Sequence, residues 1–321
     1  MGGRDTDIVL LDENGIRSDG RKVNETRKVT IKAGVLKNAN GSAYIEFGVN
    51  KILVGVYGPR DVHPKHMSDT STGILRCRYH MAPFSVGERK NPAPSRREIE
   101  ISKVIKEALQ PAVMLKEFPR TAVDVYMEVL QADGGTRCAA LTGASVALAD
   151  AGIPMRDLVA GCAAGKAADT VILDVNNEED QAGQADLPIG YMPNLEKITL
   201  LQLDGVLTPE EYKACLEIGI DGCKQVYEIQ KKALQEKYFS TGDVGSYNVS
   251  QVLPLSISRC PTTLSSPDCV TSPTRSCAGP GQGTSFLPTL PVSGASGGST
   301  SGGGSTGGGG ISLVIIKFSG V

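Results

Sequence analysis

The chain has 321 residues, 40% hydrophobic and 21% charged, with 38 glycines and no tryptophan. That length suits one large or two ordinary domains. Lysine plus arginine number 33 against 35 aspartate plus glutamate, a net charge of -2, which excludes the global basic signature of a nucleic-acid binder and leaves only local basic patches for that role.

The opening Met1-Gly2-Gly3-Arg4-Asp5 has no apolar signal core, and no stretch approaches the roughly 18 apolar residues of a membrane span. The expectation is a cytoplasmic protein with no membrane partner. Strand patterns come first. Val29-Thr30-Ile31 and Ala43-Tyr44-Ile45-Glu46-Phe47 alternate, with turn residues Asn38 to Ser42 between them. Ile52 to Tyr57 is a nearly continuous apolar run that ends at Gly58-Pro59, and a basic loop, Arg60-Asp61-Val62-His63-Pro64-Lys65-His66, follows. Leu75 to Met81 alternates again, with Arg76, Arg78 and His80 on one face.

Ser95 and Glu98 form a capping box before a helix whose apolar residues Ile101, Val104, Ile105, Ala108 and Leu109 recur at helical spacing up to Pro111. Thr121 to Leu130 alternates strictly, as a half-buried strand does. It runs into Asp133-Gly134-Gly135-Thr136-Arg137. A small-residue helix, Cys138 to Ala151, is apolar nearly all round and should be buried. Further strands are predicted at 159–164, 170–174, 186–190 and 198–203. Thr208-Pro209-Glu210-Glu211 caps a long helix to about Phe239. The layout predicts an α+β domain of mixed sheet with helices packed on it.

From Ser240 the chain is rich in Ser, Thr, Pro and Gly, so residues 240–321 should be a flexible linker or tail. Near its end, Ile311 to Phe318 has strand character without neighbouring elements. The eight cysteines include no C-x-x-C pair, so neither structural zinc nor disulfides are expected. Cys77, Cys138, Cys162, Cys215 and Cys223 read as buried small hydrophobes.

Four stretches can carry chemistry. Gly134-Gly135-Thr136-Arg137 puts paired glycines before a helix N-terminus that attracts an anion, with a hydroxyl and a guanidinium fork beside it. A tight turn with a surface arginine fits equally. Arg96 and Arg97 stand in the first turn of a helix, where cations oppose the dipole at about a few tenths of a kcal/mol. They suit a bound polyanion, or a solvated pair offset by Glu98 and Glu100. Arg60 and Lys65 suit a nucleic-acid backbone or an ordinary exposed loop; His63 and His66 lack a third ligand nearby, which speaks against zinc. Asp180 and Asp186, six residues apart around Gly183, form a hard oxygen site for a divalent cation or an acidic turn between strands. Together these are the parts of a phosphoryl-transfer site.

Arg17-Ser18-Asp19-Gly20-Arg21 resembles the R-x-D-G-R opening of the RNase PH family. The stretches Asn91 to Glu98, Leu130 to Arg137, Ala149 to Asp157 and Asp180 to Asp186 follow in that family's order, over residues 8–239. The His-Pro-Lys-His loop and the Pro-Ala-Pro-Ser-Arg-Arg run are most similar to catalytic ring subunits of archaeal exosomes. The resemblance implies a ribosomal-protein-S5-domain-2-like fold, duplicated within an RNase PH domain over residues 1–239. It implies a hexameric ring alternating with a related noncatalytic subunit, RNA-binding cap subunits, and RNA as substrate. The implied reaction is phosphorolytic 3′→5′ degradation, with inorganic phosphate as co-substrate and Mg²⁺ or Mn²⁺ as cofactor. Gly135, Thr136 and Arg137 match the phosphate-binding motif, and Arg96 and Arg97 the pair that holds phosphate and the RNA 3′ end. Asp180 and Asp186 match the catalytic, metal-binding aspartates; Lys65 and Arg60 would guide RNA. A catalytically silent RNA-binding scaffold of the same ring is the alternative. Both the aspartates and the arginines are kept, which favours activity.

Overall fold

The apolar runs of the first half assemble into one mixed sheet. Its strands are β1 (Val29–Ala33), β2 (Gly41–Phe47), β3 (Asn50–Asp61), β4 (Ile74–Met81) and β5 (Thr121–Gln131), in the order β1-β2-β3-β5-β4. Neighbours are antiparallel except β4 and β5, which are parallel. A parallel pair needs a crossover, and helix α1 (Arg96–Leu109) supplies it. The alternation of β5 buries Val123, Val125, Met127 and Val129 on the core face. The computed structural model describes residues 11–12 and 16–239; the readings made for 240–321 lie outside them.

The second half builds another sheet from β6 (Ala160–Ala167), β7 (Thr170–Leu173), β8 (Ala185–Met192), β9 (Lys197–Leu201) and β10 (Asp204–Gly205). Its order is β10-β8-β6-β7, and β9 also pairs with β8. Helix α2 (Thr136–Asp150) packs against both sheets, touching β2 and β3 on one and β6 and β8 on the other. That explains its composition. A helix between two sheets has no solvent face, so small and apolar residues run all round it. Helix α4 (Pro209–Phe239) covers β6, β7 and β8 and also reaches β1. Its start is the predicted box: Thr208 N–H donates to Glu211 Oε2 at 2.9 Å and Glu211 N–H to Thr208 Oγ1 at 3.3 Å. Cys138, Cys162, Cys215 and Cys223 are buried, and Cys77 is half-buried. Among the described residues no helix is long and apolar enough to cross a membrane.

Two boundaries that bear on the candidate site residues differ from the sequence reading. Strand β3 continues past Gly58-Pro59, and Arg60 and Asp61 pair with Ala122 and Thr121 of β5. A register shift between Tyr57 and Arg60 carries the ladder past a proline that has no N–H to donate. Arg60 is therefore a strand residue, not a loop residue. Helix α2 starts at Thr136 instead of Cys138, so Thr136 and Arg137 belong to its first turn.

Leu141 is fully buried on α2 between the sheets. Leu141→Ala should cost about 2–5 kcal/mol, read as a lower denaturant midpoint at unchanged slope.

Candidate active site

Gly134 and Gly135 adopt left-handed φ of 66° and 65°, which favours glycine, and turn β5 sharply into α2. Gly135 caps α2 with no side-chain hydrogen bond, so the first N–H groups of the helix stay available. They border a cavity of about 580 Å³, lined among others by Gly134, Gly135, Thr136 and Arg137. The loop is held from behind. Asn50 Nδ2 donates to Gly134 O at 2.6 Å, Asp133 N–H donates to Asn50 Oδ1 at 2.5 Å, and Arg27 Nη1 donates to Asp133 O at 2.6 Å. These bonds take up carbonyls and leave helix N–H groups for a ligand. Tyr79 Oη donates to Thr136 Oγ1 at 2.9 Å, which leaves the threonine hydroxyl proton to donate. Arg137 Nη1 donates to Gln202 Oε1 at 2.6 Å.

Helix α1 contributes Arg97 to the cavity wall; Arg96, its exposed neighbour, does not line it. The capping box around Ser95 fixes this turn. Glu98 Oε2 accepts the Ser95 N–H at 2.7 Å, while Oε1 accepts Met81 N–H at 2.8 Å and Lys90 Nζ at 2.7 Å. Burial alone would raise the Glu98 pKa; the Lys90, Ser95 and Met81 donors override it and lower it to about 2. Glu98 is thus a buried anchor, not a solvated offset to the two arginines.

The acidic side is not the turn the sequence suggested. Residues Asn177–Ala182 form a short helix, α3, with its own capping box: Glu179 N–H donates to Asn176 Oδ1 and Asn176 N–H to Glu179 Oε2, both at 2.9 Å. Asp180 is exposed on α3, and Asp186 sits on β8; both line the cavity. Gly183 has an extended φ of -75°, so left-handed freedom is not its role. A Cβ there would stand 2.2 Å from Glu179 O, so only glycine lets the chain pass this closely. Asp186 Oδ1 is buried with no hydrogen-bond partner among the described residues. Burial, then the nearby Asp180 charge, pushes its pKa up to about 7.

A buried arginine cluster joins these pieces. Arg17 binds both oxygens of Glu179, with Nε–Oε1 at 2.6 Å, and donates to the carbonyls of Leu173 and Asp174. Arg27 donates to both oxygens of Asp174, Nε to Oδ2 at 2.9 Å and Nη2 to Oδ1 at 2.7 Å. Arg21 adds a third guanidinium at 3.1 Å. Asp174 adopts a left-handed φ of 57°, uncommon outside glycine and held here by that cluster.

The cavity thus gathers Gly135, Thr136, Arg137, Arg97, Asp180 and Asp186. It does not gather Arg60, Lys65 or Arg96. Arg60 pairs with Asp124 at 2.6 Å and stacks over Tyr57, and Lys65 is exposed in a single 3-10 turn, Lys65–Met67. The sequence reading gave no role to Arg17, Arg21, Arg27, Asn50, Tyr79, Asp174 or Gln202. The Asn176-x-x-Glu179 capping signature was visible in the sequence and would have placed α3.

Residues 25–154 match the 3′ exoribonuclease family, domain 1, and residues 157–222 match domain 2 of the same family. The chain belongs to the 3′ exoribonuclease family of RNase PH type. This RNase PH-type chain is 83% identical over 239 residues to the exosome complex component Rrp41 of Nitrosopumilus maritimus, covering 74% of this chain and 98% of the relative. The Cenarchaeum symbiosum Rrp41 is 77% identical over 243 residues, covering 76% and 100%. Among solved structures, rice Rrp46 superposes with a TM-score of 0.61 at 26% identity, over 68% of this chain and 100% of that one. An Archaeoglobus fulgidus exosome with RNA bound to the active site gives 0.60 at 23% identity, over 67% and 92%, a likeness of fold.

Asp174→Ala takes the carboxylate from the buried Arg27 guanidinium and should cost about 3–5 kcal/mol, measured by urea unfolding. Glu98→Gln should destabilise the protein by about 1–3 kcal/mol at neutral pH. The Glu98 pKa is depressed in the fold, so its contribution is full above the ordinary 4.5 and is lost as pH falls through about 2. The melting-temperature gap between wild type and variant should narrow over that window.

Proposed function

We propose that this chain is the catalytic ring subunit of an exosome and shortens RNA from its 3′ end by phosphorolysis. The observation that carries the reading is the gathering of an anion cradle and a carboxylate pair at one cavity. A hydrolytic site places the scissile phosphate and a water, whereas a phosphorolytic one places a second phosphate. Here a helix N-terminus, a threonine hydroxyl and two arginines, Arg97 and Arg137, suit a free phosphate beside the phosphodiester. A phosphate oxygen attacks the terminal phosphodiester phosphorus, the bond to the preceding 3′ oxygen breaks, and that oxygen takes a proton. The products are a nucleoside diphosphate and an RNA one nucleotide shorter. Run backwards, the same site adds tails from nucleoside diphosphates.

The carboxylates suit a divalent cation. Asp186 Oδ1 is buried without a partner and crowded by Asp180, so it favours a cation or a proton. Among the described residues no group of three or more His, Cys, Asp or Glu forms a full metal cage. Magnesium binds through one or two carboxylates plus substrate phosphates. Mg²⁺ or Mn²⁺ held at the Asp180 and Asp186 pair would neutralise charge on the phosphates. Asp186 is half-buried and Asp180 exposed; one of them would keep the cation while the other protonates the leaving 3′ oxygen. Gly135, Thr136 and Arg137 bind the phosphate; Arg97 and Arg96 hold the RNA end; Lys65 and Arg60 guide the strand. The ring alternates with a related noncatalytic subunit and carries RNA-binding caps, in the cytoplasm.

The assembled complex should release nucleoside diphosphates from RNA only when inorganic phosphate is present. Asp180→Asn should lower kcat by about 10²–10⁴-fold, and Arg137→Ala should raise the KM for phosphate, with assembly intact. Monophosphates formed without phosphate would sink the mechanism. Activity untouched by Asp180→Asn would leave the silent scaffold as the reading.

A further inference from the structure

We infer that Gln202 is a positioning residue that sets the guanidinium of Arg137 for the attacking phosphate; this rests on the phosphorolytic reading above. Gln202 lies between β9 and β10, in the segment that closes the outer edge of β8. It is only 6% exposed, and its own N–H donates to Pro188 O at 3.3 Å. Pro188 and Arg137 both line the cavity. Gln202 Oε1 accepts from Arg137 Nη1 at 2.6 Å.

The chemistry of this contact is selective. A guanidinium presents five N–H donors in a rigid fork. Gln202 takes one donor with a neutral oxygen, so the fork is oriented and its charge is kept. A carboxylate in the same place would pair with Arg137 and cancel the charge a phosphate needs. An aliphatic residue would leave Nη1 unpaired and free the fork to turn. Arg137 Nε is buried with no hydrogen-bond partner among the described residues, so the Gln202 contact carries the orientation of this guanidinium. Gln202 Nε2 is likewise buried and unpaired among the described residues, so no second hydrogen bond within the fold accounts for this amide. A group that touches substrate works only when the residues behind it hold its rotamer.

The test is steady-state phosphorolysis by the assembled complex carrying the full-length chain, with phosphate and RNA varied separately. Gln202→Leu should raise the KM for phosphate about tenfold, and Gln202→Glu should raise it further. Turnover at saturating phosphate and RNA affinity measured without phosphate should stay near wild type, the signature of lost ground-state binding. A second readout is thermal stabilisation by inorganic phosphate alone, present in the wild type and weakened in both variants. Should Gln202→Leu fail to fold, Gln202→Glu, of equal size, carries the test. An unchanged phosphate KM with nucleoside diphosphates still released overturns the inference and leaves the phosphorolytic reading standing. A parallel fall of kcat, RNA affinity and melting temperature, with phosphate KM unmoved, marks a merely structural residue and also overturns it. Monophosphate release without phosphate overturns the reaction itself, and this inference with it.

Discussion

Three arginines meet two carboxylates in the interior, and the site depends on that meeting. Arg17 holds Glu179, the capping residue of α3; Arg27 and Arg21 hold Asp174, just before α3. Arg27 also ties down the carbonyl of Asp133, in the glycine loop before α2. One cluster therefore sets the helix that carries Asp180 and the loop that opens the anion cradle. Buried ion pairs add little net stability, because desolvation offsets attraction. Their value here is placement. Removing one member leaves uncompensated charge, so alternative arrangements of these loops are costly.

The cavity then balances opposite needs. On one wall the N-terminus of α2, Arg97 and Arg137 favour an anion. On the other, Asp180 and Asp186 repel each other, and Asp186 rises to about 7 as a result of burial and that repulsion. Arg137 and Arg97 offset part of the Asp186 shift but do not cancel it. In the proposed reaction a phosphate would occupy the first wall and a cation the second, a division of work that suits phosphoryl transfer. The double-sheet architecture makes this possible: α2 comes from the end of β5 in the first sheet, while β8 and α3 belong to the second half.

Much of this was legible in the chain. Alternation in Thr121–Gln131, the Ser95–Glu98 box and the Thr208–Glu211 box are local patterns, and each produced its element within a residue or two. The near-uniform apolarity of α2 foretold its burial between layers. Contacts distant in sequence were not legible. Arg17 and Glu179 are separated by 162 positions, and Arg27 and Asp174 by 147, and no periodicity links them. Gly183 looked like a turn residue, yet close passage over Glu179 O is what requires it. Arg60 looked like a loop residue because Gly58-Pro59 reads as a strand end, and a register shift carried the strand on.

By itself, then, the sequence determined the elements, the family and the residue types of the site, because these rest on local spacing and motif order. Only the tertiary structure decided which of them share a cavity. It separated Arg97 from Arg96 and distinguished half-buried Asp186, with its enclosed Oδ1, from exposed Asp180. It also brought Gln202 behind Arg137. The physical reason is that burial, like-charge crowding and second-layer hydrogen bonds belong to packed neighbours, and packing joins residues that the chain keeps far apart.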